Sequence, residues 1–135
     1  MNLRTSIFIG IGAVAAIAGA ATVVAQQSSN TEATQKLASA LAGRTAGQPV
    51  NCINERSKMQ IIDDGTILFR DRSIVYVQKP RGGCHGLSNG MSLIRDSFGT
   101  TRICSGDINQ IIDVRTGFGT GACTYSEFVP YRKAG

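Results

Sequence analysis

The chain has 135 residues, four cysteines, one histidine, no tryptophan and a net charge of +5. A single histidine excludes a histidine-rich metal site, and the length suits one domain with a modest core. The positive balance admits a polyanionic partner, but the basic residues are scattered, and the densest group, Arg70, Arg72, Lys79 and Arg81, is interrupted by Asp71. That pattern reads first as a solvated surface.

The chain opens on Met1-Asn2-Leu3-Arg4, runs uncharged from Ile7 to Ala25, and offers Val23-Val24-Ala25 as a small-residue exit before Gln26-Gln27. Basic end, apolar middle and small-residue exit are the three parts of a secretory leader, with Ala25 as the expected cut site. The competing reading is a retained anchor, since the apolar run approaches the ~20 residues that span a bilayer. Its second half is largely Ala and Gly, which favours cleavage. Either way the domain is expected in the periplasm or outside the cell. The predicted division is 1–25 signal peptide, 26–48 helical arm and linker, and 49–135 β domain.

Ser29-Asn30-Thr31-Glu32 has the form of a capping box, and Ala33, Leu37 and Leu41 follow on one helical face. With Gly43 as a stop, the spacing predicts a short, thinly striped helix over 30–42, joined to the domain by Gly47-Gln48-Pro49. From Cys52 onward the pattern is that of strands. Lys58–Ile62 and Thr66–Phe69 flank Asp64-Gly65, a hairpin signal whose tight turn would put both central residues at positive φ. After a turn at 70–73, Ile74–Val77 is β-branched and aromatic, completing a meander. Residues 79–86 hold a proline and three glycines and must form a loop. Met91–Arg95, Arg102–Cys104, Ile108–Val114 and Ala122–Phe128 are the remaining strand candidates, with turns at 97–100 and 117–121. The expected fold is mainly β: a small antiparallel sandwich or partly open barrel with one short N-terminal helix, stabilised by disulfides. Gln60-Ile61-Ile62-Asp63 recurs as Gln110-Ile111-Ile112-Asp113, but four shared residues do not establish a duplication.

In an oxidising compartment Cys52, Cys84, Cys104 and Cys123 are expected to form two disulfides, and three connectivities are open. The favoured one joins Cys52 to Cys123 across the ends of the domain and Cys84 to Cys104 at the central loop. A four-thiolate zinc site is disfavoured because no Cys-x-x-Cys pair occurs. Cys84-His85 is the one place where a nucleophile and a base adjoin, yet a bridged Cys84 has no thiolate to offer. Asp63 and Asp64 read more simply as turn residues than as an acid–base pair, and nothing singles out a sugar-cleaving pair among Asp107, Asp113 and Glu127. Gly117–Gly121 lacks the Lys-Ser/Thr of a phosphate loop and reads as a hairpin connection. Phe69, Tyr76, Phe98, Tyr125, Phe128 and Tyr131 are core candidates before they are stacking platforms.

The surroundings of the four cysteines carry a resemblance: Cys52-Ile53, Asp63 with Thr66-Ile67-Leu68-Phe69, Cys84-His85-Gly86-Leu87, Cys104-Ser105-Gly106-Asp107, and Gly121-Ala122-Cys123 with Phe128-Val129-Pro130-Tyr131. Over about residues 45–131 the chain resembles a family of small exported bacterial proteins known only as a domain of unknown function. The resemblance implies a periplasmic or secreted location and disulfide use, and brings no activity and no catalytic residue. The expectation is therefore a non-enzymatic envelope domain with a binding or structural role, without cofactor or metal. Its partner is expected to be an envelope protein or a polyanionic envelope component. No specific nucleic acid is expected, nor a stable membrane anchor once the leader is cleaved. The alternative is a hydrolase inhibitor that presents the loop around Cys84, with Arg81, His85 and Leu87 as its binding residues.

Overall fold

The computed structural model describes residues 20–95 and 99–135, with side chains from residue 28 onward. The predicted leader lies outside them up to residue 19, as does Phe98. Helix α1 spans Ala20–Leu41 and passes Ala25 without a break. It is longer than the 30–42 segment, starting ahead of it at Ala20 and running on through Ser29. Ser29 therefore sits inside the helix rather than capping it, and Glu32 pairs forward with Lys36 at 2.7 Å. Gly43, at φ 68°, takes the left-handed turn that lets the chain leave the helix. No helix among the described residues is long and apolar enough to cross a membrane.

Ten strands follow: β1 (Arg44–Ala46), β2 (Cys52–Asn54), β3 (Lys58–Asp63), β4 (Thr66–Asp71), β5 (Ile74–Gln78), β6 (Ser92–Arg95), β7 (Arg102–Cys104), β8 (Ile108–Ile112), β9 (Gly119–Thr124) and β10 (Phe128–Lys133). All pair antiparallel, into a five-stranded sheet of order β1-β10-β5-β4-β3, a ribbon β2-β7 and a three-stranded sheet β6-β8-β9. The fold is mainly β with one helix, and no sheet closes into a barrel. The predicted meander is present as β3-β4-β5.

Strand alternation divides the large sheet into two buried faces. On one, Ile67 and Phe69 of β4 and Phe128 of β10 meet Ile53 and Ile103 of the ribbon, Ile111 and Cys123 of the small sheet, and Leu87 of a 3-10 turn (Leu87–Asn89). Phe69, Tyr125 and Phe128 pack edge to face with ring centroids 5.7–5.8 Å apart. On the other face Ile62, Leu68, Val75 and Val77 are covered by Ala33, Leu37, Ala40 and Leu41 of α1. The helix is thus a docked layer on that face. Gly47 and Val50 continue the course of β1 beside β10, bonding the Pro130 and Phe128 carbonyls at 2.7 and 2.8 Å.

Two turn expectations need correction. The β3–β4 hairpin forms where Asp64-Gly65 predicts it, but neither residue has positive φ. A register shift between Ile61 and Asp63 and a 2.8 Å bond from the Gly65 amide to Asp63 Oδ1 shape that turn instead. The final segment is two strands, not one, because the chain changes sheets at Tyr125–Glu127. Buried Gln78 fixes that crossing: its amide nitrogen Nε2 donates to the Ser126 carbonyl at 2.8 Å, and Oε1 accepts from the Ser126 amide and hydroxyl at 2.8 and 2.9 Å.

The favoured cysteine pairing is also overturned. The bonds are Cys52–Cys104 and Cys84–Cys123. Antiparallel pairing of β2 with β7 seats Ile53 and Ile103 in the core and places Cys52 directly opposite Cys104. The ends of the domain are tied without sulfur, by the β1–β10 ladder. Each strand of the ribbon leads into one copy of the repeated Gln-Ile-Ile-Asp, with Asp63 the last residue of β3 and Asp113 the first after β8. Each accepts the amide two residues on at 2.8 Å, Gly65 at Asp63 and Arg115 at Asp113.

Candidate functional site

The helix-facing side of the large sheet is apolar where α1 covers it and basic beyond. On β4, Arg70 shares the alternation of Leu68, and on β10, Lys133 shares that of Tyr131, so both point to the side that carries the helix. Register places Lys58 of β3 opposite Arg70 and Arg44 of β1 opposite Lys133. Two cross-strand pairs of like charge result, an arrangement that is destabilising without a counter-ion. Between α1 and this end of the sheet lies a cleft of about 510 Å³. Arg44, Gln60, Arg70 and Lys133 form its sheet wall, and Glu32, Gln35, Lys36 and Ser39 its helix wall.

Its hydrogen bonds orient the guanidinium groups without neutralising them. Arg70 Nη2 donates to Gln60 Oε1 at 3.1 Å, and Arg44 Nη1 donates to the carbonyls of Ser73 and, at 3.5 Å, Tyr131. No described carboxylate forms an ion pair with Arg44, Lys58, Arg70 or Lys133. Glu32, the one carboxylate of the cleft, is held by Lys36, whose ammonium lowers the pKa of the glutamate. Basic residues scattered in the sequence therefore converge on the cleft from three strands and one helix; Lys58, opposite Arg70, stands outside its lining, as do Arg72, Lys79 and Arg81.

The loop proposed around Cys84 is folded down. Cys84 is bridged and fully buried, and its amide donates to the Asp64 carbonyl at 2.6 Å. The Asp64 carboxylate accepts from the Gly86 amide at 2.9 Å and from the Ser88 amide and hydroxyl at 2.7 Å each. Burial alone would raise the pKa of Asp64; those bonds and the nearby His85 outweigh it and hold the pKa below the usual value. Leu87 is 1% exposed and belongs to the core, so it is not a binding residue. Arg81 and His85 stay exposed, the former tied through its backbone to Thr124. All four cysteines are bridged, which leaves Cys84-His85 no thiolate.

Two of the three candidate carboxylates for sugar cleavage stand far apart. Asp107 and Asp113 flank β8 at opposite ends, roughly 20 Å apart by strand rise, well beyond the spacing of a glycosidase pair. Asp107 lies 3.6 Å from Arg95 and accepts the Cys104 amide at 2.8 Å, while Asp113 binds Arg115 at 3.3 Å. Asp64 and Asp63 border a second, wider cleft with Ser88, Asn89 and the middle of α1 from Ser29 to Lys36, but no group of three metal-ligating side chains gathers among the described residues. Tyr125, Phe69 and Phe128 are buried, so they offer no stacking surface.

Comparison with family models returns no match, and neither the curated proteins nor the solved structures include a significant one.

Proposed function

We propose that the chain is an exported, non-enzymatic domain of the bacterial envelope that binds an anionic envelope component in the cleft between α1 and the large sheet. One observation carries this reading: two directly opposed pairs of cations, Arg44 with Lys133 and Lys58 with Arg70, face the same side with no described carboxylate to offset them. Cations near the end of α1 also interact with its carbonyl dipole, but that end supplies only about half a negative charge. Leader grammar and two disulfides support export and an oxidising compartment. The resemblance to a family of exported proteins of unknown function agrees with both.

The test is cosedimentation of the domain with purified envelope fragments. Retention that falls with added salt and with Arg70→Gln supports the reading, because contacts between exposed charges are screened. Retention indifferent to both overturns it. For export, amino-terminal sequencing of the secreted chain should begin at Gln26.

A second reading has its own observation. The loop of residues 80–89 is fixed by a disulfide and by the Asp64 carboxylate, and it leaves Arg81 and His85 exposed on a rigid frame. A hydrolase inhibitor works from such a frame. Inhibition of a secreted hydrolase that His85→Ala abolishes would establish it.

A further inference from the structure

We infer that the ligand of the cleft is a linear oligoanion that runs on past Arg70 to Lys58 beside it and so engages both cation pairs at once, rather than a single small anion; this rests on the anion-binding reading above. Within each pair the Cβ atoms stand about 5 Å apart, close enough to share one anionic group. Between the pairs the sheet imposes a larger distance. Lys133 and Arg70 sit on strands separated by β5, so two strand spacings, roughly 10 Å, divide them. From Arg44 on β1 to Lys58 on β3 the sheet is four spacings wide, roughly 19 Å. One phosphate or carboxylate cannot contact both pairs, whereas a chain of anionic groups lying across β10, β5 and β4 can.

The register also fixes the level of the two pairs along the strands. Tyr131, Val75, Arg70 and Lys58 lie in one row across the sheet, and Lys133 and Arg44 stand two residues further along their strands. The path between the pairs is thus diagonal, and Tyr131 lies beside it, half-buried. On the facing wall Lys36 adds a fifth cation, already shared with Glu32. The ligand class is accordingly a flexible, repeating polyanion of the kind found in charged envelope polymers.

Long-chain polyphosphate, tripolyphosphate and inorganic phosphate serve as probes, compared by isothermal titration at matched ionic strength. Lys58→Gln and Lys133→Gln each remove one exposed cation from a different pair, and Lys79→Gln, outside the cleft, is the control. Long chains should bind at least about tenfold more tightly than tripolyphosphate, as linked contacts do. Each of the two pair substitutions should erase most of that advantage, and the control should not. Equal affinity for all three probes, or loss with Lys133→Gln alone, would reduce the site to one pair and overturn the inference while leaving anion binding intact. If no probe binds, both fall.

Discussion

At the scale of single residues, polar and ionisable groups join the loops to the sheets. Asp64 is the clearest case, since one carboxylate receives three donors from the Gly86–Ser88 turn. Asp64→Asn, similar in shape but uncharged, is expected to cost about 1–3 kcal/mol at neutral pH. Because the folded pKa lies below the usual value of 3.8, the carboxylate stabilises the fold above that pH. This contribution is lost as pH falls through the folded pKa. Thermal melts across the acid range should therefore show the wild type and the variant converging, and a constant gap would refute the assignment. Tyr125 behaves in the opposite range. Burial foremost pushes its pKa up to about 12, Arg95 lowering it and Asp107 raising it further. The unfolded chain then releases the phenolic proton first, near pH 10, so stability should decline as pH rises from there towards the folded value. An absorbance titration should show a late phenolate step that Tyr125→Phe removes.

At the scale of elements, α1 is held by a narrow apolar stripe. Ala33, Leu37, Ala40 and Leu41 lie on Ile62, Leu68, Val75 and Val77, and all four follow Ala25, so a chain beginning at Gln26 keeps every one. Leu37→Asp, which sets a charge against that surface, should release the helix at a cost of roughly 2–3 kcal/mol. Hydrogen exchange in α1 should speed up and dye binding to the exposed sheet face should rise, with β3-β4-β5 still protected. Unchanged exchange in α1 would show that the stripe does not hold it. The same element shows what sequence can convey. Spacing identified Leu37 and Leu41 as a face, and Gly43 as a stop, because these are local geometry. The helix start is not legible in the same way, because Ser29 and Glu32 satisfy a local capping pattern although the helix already runs through them from Ala20. The strand β1 was hidden for another reason: Arg44-Thr45-Ala46 has no apolar alternation and forms an edge only because β10 offers a partner. The cleft is less legible still. Its cations run from Lys36 to Lys133 along the chain, and only register brings Arg44 opposite Lys133.

At the scale of the whole molecule, the two disulfides overlap in sequence, with Cys84 inside the loop closed by Cys52–Cys104 and Cys104 inside that closed by Cys84–Cys123. Sequence could fix their number but not their pairing, since the choice depends on which strands become neighbours. Loops of 52 and 39 residues each remove chain entropy worth about 4 kcal/mol from the unfolded state. That is comparable with the whole stability of a domain of this size, about 5–15 kcal/mol. Removing both should therefore leave the chain marginally stable at best, whereas removing one leaves a folded protein with a lowered melting temperature. Burial sets the order of reduction. Cys84 and Cys123 are 0% and 5% exposed, while Cys52 and Cys104 sit half-buried on the ribbon. Under native conditions a mild reductant reaches Cys52–Cys104 first, and Cys84–Cys123 opens only when the loop above it unfolds. Timed alkylation followed by peptide mapping should find labelled Cys52 and Cys104 together before any labelled Cys84. Simultaneous labelling of all four would mean that reduction requires global unfolding, and that the ribbon and the loop form one cooperative unit.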